Sequence, residues 1–185
     1  MRGDSPDGPP RAWLIAALAV AVLAVGAVLA VAATRRTPMP PVAIAAVPAP
    51  QAGAPECRSL LATLPERLGD YTRAAAVDPV PEGAAAWRSP DTTGAQPVIM
   101  RCGLGRPAEF VVGVPLQLVD DVQWLRLSDP GTGDADTRRS TWVAVDRAVY
   151  VAITLPDGSG PTPIQMLSEV IARTMPAMPI RPGPA

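Results

Sequence analysis

The chain's chemistry is defined first by what it lacks. None of its 185 residues is His, all sixteen basic residues are Arg, and there is no Lys or Asn. Without His there is no Ser-His-Asp or Cys-His triad and no His-containing metal site. Without Lys there is no Schiff-base amine and no phosphate-loop lysine. What remains is carboxylates, hydroxyls, Arg and two cysteines, a thin inventory for catalysis that points to no catalytic residue and no cofactor. With a formal net charge of -1, no global field draws the protein to nucleic acid.

Four groups of residues could still do chemistry. Asp129-Pro130-Gly131-Thr132-Gly133-Asp134-Ala135-Asp136 alternates carboxylates with glycines, as oxygen-liganded Ca²⁺ loops do. Its spacing fails the EF-hand rule and the terminal Glu is missing, so it reads as a solvated hairpin loop and no metal is expected. Asp120 and Asp121 are adjacent; strand neighbours point to opposite faces, so they read as a turn rather than an acid–base pair. Arg138-Arg139 reads as a polar hairpin end, too small a patch to define an anion site. Trp142 and Tyr150 are expected as neighbours on one face of a hairpin, either core or an exposed binding surface for a sugar or protein.

Cys57 and Cys102 are the only cysteines. In an oxidising compartment they form one disulfide tying a helix to a strand; in a cytoplasmic domain they are two buried thiols. A CxxC redox pair is excluded by their separation.

The elements that position these residues begin with an apolar run. Trp13 to Ala33 carries no charge, and about 21 residues at about 1.5 Å each span roughly 31 Å, the thickness of a bilayer core. It reads as a transmembrane helix in contact with membrane lipid. Ala30-Val31-Ala32 also satisfies the small-x-small cleavage rule, so secretion after signal cleavage is the rival. Arginines flank both ends, and the bias toward a cytoplasmic N-terminal tail over residues 1–12 is slight. An outward domain follows mainly from the cysteines.

Residues 34–55 hold Pro38, Pro40, Pro41, Pro48, Pro50 and Pro55 and no aromatic, which predicts an extended linker with no core of its own. The folded part is expected over 56–180. Cys57, Leu60, Leu61 and Leu64 are spaced as one face of a helix ending at Pro65. Strands are expected over Asp70–Val77, Pro97–Arg101, Val122–Leu127, Thr141–Val145 and Ala148–Leu155, the last two joined by a turn at Asp146-Arg147. Asp78 to Gln96 reads as a long connection around Trp87. Thr162, Pro163 and Gln165 predict a capping box, and Ile164, Leu167, Ile171 and Met175 a helical stripe. Residues 181–185 read as a disordered tail. The sum is an α+β domain: a small antiparallel sheet with an N-terminal and a C-terminal helix packed on it, preceded by one transmembrane helix.

The ordered set Cys57, Leu64-Pro65, Trp87, Arg101-Cys102-Gly103, Pro107, Trp124, Arg147-Ala148-Val149-Tyr150-Val151 and Leu155-Pro156 resembles the actinobacterial proteins grouped as domain of unknown function 3515, over roughly Ala54 to Ile180. The resemblance implies an envelope protein with a membrane segment before the domain and two cysteines in matching places; it brings no catalytic residues. A membrane-anchored, extracytoplasmic, non-catalytic binding or assembly module is therefore expected, with an envelope protein or cell-wall component as partner. The alternative is an enzyme acting on cell-wall material through carboxylates alone.

Overall fold

The computed structural model describes residues 11–34, 40–89, 96–128 and 139–184. The chain divides into two compact units, Met1–Pro38 and Met39–Ala185. The first contains α1 (Arg11–Thr34), whose 18-residue window Ala12–Leu29 has a mean hydropathy of 2.7 and no buried residue. A helix apolar on every side has no amphipathic face to lay on a protein core. By length and composition it meets the requirements of a membrane span, and a signal sequence meets them too.

The second unit is one eight-stranded antiparallel sheet with two helices on one face. The elements are α2 (Pro55–Thr63), β1 (Arg67–Leu68), β2 (Tyr71–Ala74), β3 (Ala84–Arg88), β4 (Val98–Leu104), β5 (Gln117–Val119), β6 (Val122–Ser128), β7 (Arg139–Ala144), β8 (Tyr150–Pro156) and α3 (Thr162–Thr174). Across the sheet the order is β1-β2-β3-β4-β8-β7-β6-β5. Two meanders thus meet where β8 returns to pair with β4, Met100 opposite Ile153 and Cys102 opposite Val151.

Strand alternation separates the core on the helix side of the sheet from those on its other face. On the helix side, Trp87, Met100, Trp124, Val151 and Ile153 are fully buried against Leu60 of α2 and Leu167 and Ile171 of α3. The tryptophans' polar ends are satisfied locally. Trp87 Nε1 donates to the carbonyl of Pro65 at 3.0 Å, and Trp124 Nε1 to Ser168 Oγ at 3.0 Å. Leu64 is extended (φ -60, ψ 134), as the residue before a proline prefers to be, which ends α2 at Thr63, two residues ahead of Pro65. The expected stripe of α3 is buried. The capping box does not form: α3 starts at Thr162, its N-cap is Pro161, and no side chain caps it.

The other face carries two smaller cores. Phe110, Leu125, Val143, Val145 and Ala152 pack beneath the segment that follows β4. Val42, Ile44, Ala74, Ala86 and Ile99 form the second, and this corrects the expectation for the proline-rich segment. Its last part is a strap on the sheet, not free linker. Val42 N–H donates to Ala75 O at 2.8 Å, Val77 N–H to Val42 O at 2.9 Å, and Gln51 N–H to Gly103 O at 3.0 Å. Gly103 makes the last contact possible: at φ +83, a Cβ there would lie 2.2 Å from the Gln51 carbonyl carbon.

The C-terminal tail, expected to be disordered, also docks as far as it is described. Gly183 N–H donates to Phe110 O at 2.8 Å, and Val112 N–H to Gly183 O at 3.0 Å.

Candidate functional site

The helices cover the sheet unevenly. Where β6, β7 and β8 run past the start of α3, the helix-side face opens into a cleft of about 750 Å³. Its floor is Arg126, Ser140 and Trp142; Gln165 stands on the first turn of α3, and Asp120 and Asp157 sit on turns at the rim. Alternation explains the floor. Val122 and Trp124 precede Arg126 on the same face of β6, and Ser140 and Trp142 precede Ala144 on β7. Under the helices those positions are apolar; beyond them they turn polar.

Trp142 is half-buried. Its Nε1 donates to Ser140 Oγ at 3.1 Å, which fixes the indole along the floor. Arg126, its cross-strand partner, holds its guanidinium 5.5 Å from the ring centroid. Arg126 is exposed. At the sheet's end Arg139, half-buried, donates to Gln96 Oε1. The ion pairs among the described residues are Arg147–Asp146 and Arg173–Glu169, so no described carboxylate contacts Arg126 or Arg139. On the far face, the pKa of Arg101 is lowered, first by burial and then by the nearby positive charge of Arg139.

The remaining candidates fall as follows. Cys57 and Cys102 are disulfide-bonded, Cα–Cα 5.6 Å, and both are fully buried between α2 and β4. Asp120 and Asp121 make the β5–β6 turn, with Asp120 left-handed at φ 49. Asp129 to Asp136 and Arg138 lie outside the described residues. Among the described residues no group of three or more His, Cys, Asp or Glu could hold a metal ion.

Trp142 and Tyr150 do not share a face, which corrects the expected joint surface. Trp142 pairs with Ile153 on the helix side. Tyr150 points to the opposite side, edge-on to Phe110 at 6.3 Å, beside a separate cavity of about 250 Å³. Paired residues of β7 and β8 have numbers of opposite parity, so an even-numbered residue on β7 shares its face with odd-numbered ones on β8.

Sequence reasoning missed Arg126, Ser140 and Gln165, which alternation could have grouped with Trp142. It also missed Asp146 and Arg147, read as turn residues. They are buried, with Arg147 Nη1 2.9 Å from Asp146 Oδ2 and Nη2 2.6 Å from Asp121 O. Asp146 Oδ2 accepts from Gln123 N–H at 3.0 Å, so the pair locks the β7–β8 connection to the β5–β6 turn.

Fold and site together define a class: an α+β domain with a disulfide clasp and an open cleft, in a chain that also carries an apolar N-terminal helix. The chain matches the family model described as Protein of unknown function (DUF3515) over residues 18–180 and belongs to that family. The match begins inside α1, so the family pattern takes in the apolar helix as well as the domain. No curated protein and no solved structure matches it.

Proposed function

We propose that the protein is a membrane-anchored, extracytoplasmic, non-catalytic binding or assembly module of the cell envelope, and that it binds through the cleft beside Trp142. The observation that carries this reading is the cleft itself. It has the volume of a ligand site, a half-buried aromatic on its floor and polar groups converging from three elements. The outward placement is supported by the buried Cys57–Cys102 disulfide, which a reducing cytosol does not maintain. Anchorage is supported by the length of α1 and by a family match that includes most of it. Secretion after cleavage at Ala32 is the alternative placement. The absence of His and Lys from the whole chain weighs against catalysis.

The test is photo-crosslinking in cells. A photoreactive residue at Leu118, which is 72% exposed and lines the cleft, should give a discrete envelope adduct that Trp142→Ala abolishes. The same residue at Val80, away from the cleft, should give none. Equal labelling from both positions would sink the reading.

One observation favours a second reading, an enzyme acting on wall material. Asp120 and Asp157 both line the cleft, as a carboxylate-only glycosidase would need. That reading predicts hydrolysis of isolated wall material, lost in Asp120→Asn and Asp157→Asn.

A further inference from the structure

Resting on the reading of the Trp142 cleft as a binding site, we infer that its ligand is a sugar bearing a single anionic group, a phosphate or a carboxylate. Arg126 is the first reason. Its guanidinium lies over the Trp142 ring, which orients the fork without consuming its donors, and no carboxylate among the described residues contacts it. A planar fork held this way matches phosphate or carboxylate oxygens in pairs. Arg139 borders the same cleft at the start of β7, but alternation turns its side chain to the far face, toward Gln96 and Arg101, which leaves Arg126 as the arginine that meets the ligand.

The rest of the lining says what carries the anion. Asp120 and Asp157 line the cleft as well as Arg126, so a polyanion is disfavoured there. Those carboxylates accept hydroxyl protons, while Ser159 and Gln165 both donate and accept. Trp142 supplies an apolar wall for the C–H face of a ring. Groups of both hydrogen-bonding senses, one aromatic wall and the Arg126 fork together suit a polyhydroxylated ring with one charge. The start of α3 adds to this, because no side chain caps it and its first-turn residues Ile164 and Gln165 line the cleft.

The experiment is calorimetric titration of the full-length protein in detergent with four probes: N-acetylglucosamine 1-phosphate, glucuronate, neutral N-acetylglucosamine and inorganic phosphate. At least one of the two anionic sugars should bind at one site per chain, tenfold or more tighter than both the neutral sugar and phosphate. The two anionic arms tell phosphate from carboxylate. Arg126→Ala, at an exposed position where the fold is not at stake, should weaken that binding at least tenfold, and Arg126→Lys should restore part of it. Phosphate binding as tightly as the anionic sugars overturns the sugar, and so does binding unchanged in Arg126→Ala. The neutral sugar binding equally well, with binding lost in Trp142→Ala, overturns the anion but leaves the cleft as the site. No binding by any probe overturns the inference, and the Leu118 crosslink then decides the wider reading separately.

Discussion

Replacing Asp146 by Ala should be among the most damaging single changes outside the apolar core. The side chains of Arg147 and Asp146 are 1% and 4% exposed, and the ion pair closes at 2.9 Å. Removing the carboxylate leaves a buried guanidinium uncompensated, which costs about 3–5 kcal/mol. It also orphans the Gln123 N–H that Asp146 Oδ2 accepts. Partial compensation remains, because Arg147 still donates to the carbonyls of Asp146 at 3.0 Å and Asp121 at 2.6 Å. The lower end, about 3 kcal/mol, is therefore expected. For a domain of this size that lowers Tm by roughly 10 °C. Removing both charges should cost less than the sum of the single changes, since an apolar pair of similar volume leaves nothing stranded. Thermal unfolding by circular dichroism of Asp146→Ala, Arg147→Met and the double variant gives the cycle. A coupling of about 2 kcal/mol in the rescuing direction is predicted; additive losses, or a drop under 3 °C for Asp146→Ala, would refute the reasoning.

Replacing both Cys57 and Cys102 by Ser should cost about 4 kcal/mol by the chain-entropy relation for a separation of 45 residues, read as a matching fall in Tm that reductant reproduces in the native protein. Ile44→Ala should cost about 2 kcal/mol, near the low end for such truncations because Ile44 sits at the core's rim, and should make the strap a new site of proteolytic nicking. Gly103→Ala should release the same strap, since its Cβ meets the Gln51 backbone; hydrogen exchange at Gln51 and Val42 should rise. Ser168→Ala should cost about 1–3 kcal/mol by leaving the buried Trp124 N–H unpaired, measured by the same thermal assay.

Much of the fold was legible because periodicity reports burial. The α1 run, the α3 stripe and the alternation in β6 and β8 each carry their own signal, and α2 stops where Pro65 requires. β3 was not legible, because Ala84-Ala85-Ala86 is poor in the branched residues that mark strands. Small side chains suit it, since Ala86 packs beneath the Val42–Ile44 strap. The strap was missed for a related reason: proline content argued for solvent exposure, but a segment making few ladder bonds can still bury Val42 and Ile44. β1 and β5 are two and three residues long, below what alternation can reveal.

Of the site, Trp142 and Tyr150 were wrongly paired on one face. The error was one of register, and a one-residue slip in parity moves a side chain across the sheet. Asp146-Arg147 looked like an exposed turn because charge usually marks one. Its burial depends on Asp121 and Gln123, contacts that local sequence does not encode.

That the domain works outside the membrane is the claim on which the envelope reading stands. Mass mapping of the native protein, alkylated in intact cells and digested without reduction, tests it most directly. A single peptide pair joined through Cys57 and Cys102 is predicted, with neither thiol alkylated. Two alkylated cysteines after denaturation without reductant would place the domain in a reducing compartment and contradict the account.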